Sequence, residues 1–61
     1  MPRLGILIAR AIVAGDVHLA RNLRDTGPRY WTVAECRAVA GACREANRRY
    51  GCQLSLSEFL L

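Results

Sequence analysis

Sixty-one residues make one domain at most, and a lone core in so short a chain is marginal, burying only about 60% of the unfolded surface. Apolar residues make up 52% of the chain, ample for a globular fold and enough to suggest burial between subunits. The net charge is +4, carried entirely by arginines, which permits an acidic partner without requiring one. A GC-rich coding sequence explains the preference for arginine by itself.

Three cysteines, Cys36, Cys43 and Cys52, cannot all pair within one chain. Cys36 and Cys43 are seven apart, about 10 Å along a helix and too far for a mutual disulfide. Free cysteine behaves as a small apolar residue, and a reducing, cytoplasmic setting fits best. The opening MPRLGILIARAIVAG has an apolar run interrupted by Arg10. It falls short of the roughly 20 residues needed to cross a bilayer. Cleavage at Ala14-Gly15 would remove apolar material that a core needs, so a secretory leader is not expected.

Pro2 suits the first turn of a helix. Leu4, Leu7, Ile8, Ala11, Ile12 and Gly15 then fall on one stripe, which continues in phase through Leu19 and Leu23. The spacing predicts one long helix from Arg3 to about Arg24, or two nearly collinear ones. The weak point is Gly15-Asp16, where glycine costs roughly 1 kcal/mol in a helix interior and aspartate makes a good N-cap. The back of this helix, Ile6, Ala9 and Val13, is apolar too. Only Arg3 and Arg10 mark a polar edge. A helix apolar nearly all round needs cover on several sides. The expected oligomer interface is therefore Leu4, Ile6, Leu7, Ile8, Ile12 and Val13.

Asp25-Thr26-Gly27-Pro28 breaks the chain. Tyr30 and Trp31 close the end of the core, and Thr32 with Glu35 forms a capping box that starts a second helix, Val33 to Tyr50. Gly51 supplies its left-handed stop. Cys36, Val39, Cys43, Ala46 and Tyr50 are the expected core seam. Arg37, Arg44 and Arg48 line one flank, with Arg49 near them. Ala34, Ala38 and Gly41 form a back of small residues. Residues 52–61 alternate at first, as a half-buried strand does, but Ser55 or Ser57 also suits the start of a short turn carrying Phe59. An extended lead into a helical turn is favoured.

His18 with the three cysteines is a formal zinc set, but it lacks the paired ligands on tight turns that structural zinc sites bring. No phosphate-cradling glycine loop, nucleophile elbow or carboxylate pair at useful spacing is present. No cofactor and no enzymatic activity are expected. The first helix lacks the basic face of an interfacial helix, so no membrane partner is expected either.

The expected fold is all-α: an antiparallel helical hairpin, its first arm open to a break at Gly15-Asp16, with a short C-terminal segment, assembling as a helical-bundle dimer. The expected function is a non-catalytic interaction module that self-associates and binds another protein. The alternative is a small nucleic-acid-binding regulator that meets phosphates through Arg37, Arg44, Arg48, Arg49 and Arg29.

Overall fold

The computed structural model describes residues 3–27 and 30–60; Met1, Pro2, Pro28, Arg29 and Leu61 lie outside them. All regular structure among the described residues is helical: α1 (Leu4–Val13), α2 (Val17–Thr26), α3 (Val33–Tyr50) and α4 (Leu56–Leu60). The four helices pack together around one core.

The long first arm does not form. Gly15 adopts a φ of +84°, open to glycine at little cost. Its N–H donates to the Ile12 carbonyl at 3.0 Å, and the Asp16 N–H donates to the Ala11 carbonyl at 2.9 Å. These two bonds are a Schellman stop for α1. Asp16 at once caps α2, its Oδ1 accepting from the Leu19 N–H at 3.0 Å. The stripe from Leu4 to Leu23 is thus shared between two helices, and α2 folds back along α1 instead of extending it. Gly27, just past α2, lies so close to Leu4 at the start of α1 that a Cβ there would run into the Leu4 side chain.

The relation between α1 and α3 also differs from the expected hairpin. Gly5, in the first turn of α1, donates its N–H to Glu35 in the first turn of α3 at 2.9 Å. At the far end, the Tyr50 hydroxyl donates to the Val13 carbonyl at 2.9 Å. Start meets start and end meets end, so α1 and α3 run in the same sense. The physical reason is the corner at Gly15-Asp16. It reverses the chain so that α2 ends beside the start of α1, where α3 begins and runs in the direction of α1.

The capping box of α3 is present: Thr32 Oγ1 accepts from the Glu35 N–H at 3.1 Å, and Glu35 Oε1 accepts from the Thr32 N–H at 2.9 Å. Gly51 ends α3 with a φ of +70°. After it residues 52–55 have no regular structure and lead into α4. Asn47 holds this segment: its side chain donates to the Leu54 carbonyl at 2.9 Å and accepts from the Leu54 N–H at 2.7 Å. From the other side Arg21 of α2 binds Glu58 at 3.0 Å, and Arg24 reaches the Glu58 carbonyl at 3.4 Å.

The core joins Ile8, Ala9, Ala11 and Ile12 of α1 to Ala20, Val39, Ala42, Cys43, Ala46, Leu54 and Phe59. Ile8, Ile12, Val39 and Phe59 lose essentially all their exposure, each worth about 1.5–3 kcal/mol by transfer. The seam of α3 is not the expected one. Glu35 and Ala42 are buried with Val39, Cys43 and Ala46, whereas Cys36 is half-buried and Tyr50 is 46% exposed. Glu35 turns inward because the N–H of Gly5 and the guanidinium of Arg3 await it there. Ala42 is covered because α1 lies across that side of α3, while Tyr50 lies over the α1–α2 corner, close to Gly15.

Candidate interaction surface

The side of α1 turned away from the core remains partly uncovered. It bears Ile6 and Leu7, both partly buried, and Arg10, Val13 and Ala14, all exposed. Two shallow apolar grooves of about 420 Å³ each run along it. One lies between α1 and α3, where Ile6, Ala9 and Val13 face Ala38, Gly41 and Ala42. The other lies between α1 and α2, where Leu7 and Ala11 face Leu19 and Leu23, with Asp16 at its end. Arg10 and Ala14 border both grooves, so the two form one surface with Arg10 on its crest. Leu19 is 45% exposed and Val13 39% exposed, high for such side chains in a packed domain.

The expected oligomer interface divides on this geometry. Ile6, Leu7 and Val13 do lie on the uncovered side, and Leu4 is half-buried against Gly27. Ile8 and Ile12 are wholly buried inside the single chain, so neither can meet a second subunit. The 3.6-residue spacing brings both sets onto one helix but leaves open which side α3 covers. Leu19, Leu23 and Arg10 belong to the surface without having been expected there. A signal for Leu19 and Leu23 was present, since they sit on the same stripe as Leu4 and Leu7. Their contribution needed the fold-back at Gly15.

The arginine flank of α3 is exposed along its length at Arg37, Arg44, Arg48 and Arg49. Glu45 binds Arg48 at 2.6 Å and Arg49 at 3.0 Å, so two of these charges are partly answered within the helix. Arg37 and Arg44 have no carboxylate partner among the described residues. Arg29 lies outside the described residues. Tyr30, beside it, is 89% exposed, whereas Trp31 packs against the core and its indole N–H finds no acceptor among the described residues.

The titratable groups with shifted behaviour have structural explanations. The Thr32 N–H, helped by Arg3 and the Gly5 N–H, outweighs burial and holds the Glu35 carboxyl at about 2. Burial pushes the Cys43 thiol up, and Glu58 pushes it further, which keeps it protonated. All three cysteines are free thiols. Among the described residues, no three His, Cys, Asp or Glu side chains converge to hold a metal ion. No helix among them is long and apolar enough to cross a membrane.

Fold and surface together define a small four-helix protein with one incompletely covered apolar helix and a separate basic flank. Scans against protein-family models, curated proteins and solved structures find no match to the chain.

Proposed function

We propose that this chain is a non-catalytic interaction module that self-associates, as a dimer in a reducing, cytoplasmic setting, and binds another protein. The observation that carries the reading is the outer side of α1, where Ile6, Leu7, Val13 and Leu19 remain open around Arg10. A 61-residue protein gains stability from covering such a surface, because a partner that binds only the folded chain shifts folding by mass action. Size exclusion coupled to light scattering tests it. The wild type is expected to be dimeric at micromolar concentration. Val13→Lys and Leu19→Lys, both at exposed positions, should be folded and monomeric. A wild type that stays monomeric at hundreds of micromolar rules out self-association.

One observation favours a second reading as a basic nucleic-acid-binding regulator. Arg37 and Arg44 are exposed on the same flank of α3, with no carboxylate among the described residues to answer them. On this reading Arg37, Arg44 and Arg48 meet successive phosphates and the outer side of α1 is left for a second subunit.

A further inference from the structure

We infer that a second copy of this chain covers the outer side of α1 about a two-fold axis, with Arg10 of each copy paired to Asp16 of the other. The inference rests on the self-association proposed above and adds its geometry and its pairing residues.

The two charges set in this apolar surface point to a second copy as its occupant. Arg10 stands on the crest between the two grooves, and its guanidinium has no ion-pair or hydrogen-bond partner among the described residues. Asp16 closes the end of the groove between α1 and α2. Its Oδ1 is engaged in capping Leu19, and its other oxygen accepts no hydrogen bond among the described residues. Although Arg10 and Asp16 border the same groove, no ion pair joins them within one chain. A surface with one cation lacking a carboxylate and one anion with an oxygen to spare is complementary to itself. A two-fold rotation brings the cation of each copy to the anion of the other, and both are satisfied at once. A partner carrying a single sign would satisfy one of them and repel the other.

Long-range charge favours the same surface. Each copy carries a net +4, so two copies repel wherever arginines face one another. The outer side of α1 contributes one positive and one negative residue and is formally neutral. It therefore lets like-charged molecules meet while the α3 arginines stay apart. Ala14, small and shared by both grooves, leaves room at the centre for a side chain of the other copy.

Sedimentation equilibrium on the full chain tests the pairing, with circular dichroism as a check that each variant is folded. Arg10→Glu sets like charges against each other twice per dimer and should weaken dimerisation at least about tenfold. Adding Asp16→Asn removes that repulsion while keeping a good N-cap, so Arg10→Glu with Asp16→Asn should recover most of the loss. The inference is overturned if the wild type is monomeric up to millimolar concentration. It is equally overturned if Arg10→Glu dimerises like the wild type, or if the double variant is as weak as Arg10→Glu alone. Should Arg10→Glu dimerise normally while Val13→Lys and Leu19→Lys are monomeric, the pairing falls and the self-associating surface stands. Should all variants dimerise like the wild type, both fall.

Discussion

The Glu35 carboxylate ties two stretches of chain together, the starts of α1 and α3. Oε1 accepts from the Thr32 N–H at 2.9 Å and from Arg3 Nε at 2.7 Å, while Oε2 accepts from the Gly5 N–H at 2.9 Å. The residue thus completes the capping box of its own helix and satisfies an orphan donor at the start of another. The ionised form is the one held, and its pKa falls from 4.5 to about 2 on folding. The stabilisation is therefore complete above about pH 4.5 and is lost as the pH falls from there through about 2. An acid titration by circular dichroism should show wild-type stability falling across that window. Glu35→Gln should be less stable at neutral pH and lose less of its stability on acidification. Some slope should survive in the variant, because Arg48 also holds Glu45 below its usual range. An identical pH dependence in the two proteins would show that Glu35 is not the responsible group.

Gly5 is the counterpart of Glu35. A Cβ at Gly5 would lie 2.6 Å from the Glu35 Cβ, closer than packed atoms come. Glycine inside a helix normally costs roughly 1 kcal/mol against alanine, so Gly5→Ala would stabilise an isolated helix. Here it should instead destabilise the protein by about 1–3 kcal/mol, since Glu35 must move and loosen its bonds. Urea denaturation reads the sign directly. The sequence alone showed the capping box of Thr32 and Glu35, because the partners sit three positions apart at the start of one helix. It did not show the bond to Gly5, whose donor lies thirty residues away. The trace of that contact in the sequence is the glycine itself, unexplained within an otherwise apolar helix.

At the scale of elements, the two signals that stop α1 and start α2 lie side by side. Gly15 and Asp16 leave no room for an intervening loop. Helix periodicity cannot see this, because residues on either side of a tight corner keep the same phase by coincidence of length. The consequence is large, for it turns α2 back and makes α3 run with α1. The C-terminal segment shows the opposite case. Its short helix follows from serine placement and apolar spacing, but what fastens it is Asn47, seven residues before Leu54. Asn47→Ala should cost about 1–3 kcal/mol by leaving both Leu54 backbone groups without these partners. Hydrogen exchange should accelerate most at Leu54 and through α4, and less in α1. Uniform acceleration would mean that Asn47 does not act as a local clasp.

For the whole molecule, charge and apolar surface are segregated. Arg37 and Arg44 are exposed on one flank of α3, with Arg48 and Arg49 near Glu45. The open apolar surface lies around α1. This separation makes the two functional readings distinguishable. If Arg37, Arg44 and Arg48 each neutralise one phosphate, duplex affinity should fall roughly fortyfold between 50 and 200 mM salt. Arg44→Glu with Arg48→Glu should abolish that binding and leave self-association intact. Affinity indifferent to salt, or unchanged by the double reversal, would remove the α3 flank as a nucleic-acid contact.

The sequence by itself determined that this protein is helical, where its longest helix begins and ends, and that Val39, Cys43 and Ala46 pack inside. Those features depend on neighbours within a turn or two: a capping box, a left-handed glycine, a 3.6-residue repeat. Tertiary structure alone decided which side of α1 is core and which is surface. Ile8 and Ile12 went inward and Val13 outward because α3 lies across one side only. It also decided that Glu35 is buried and that α1 and α3 share a direction. These outcomes depend on contacts between residues thirty or more apart, set by a reversal at Gly15-Asp16 whose effect is geometric and leaves no periodic mark.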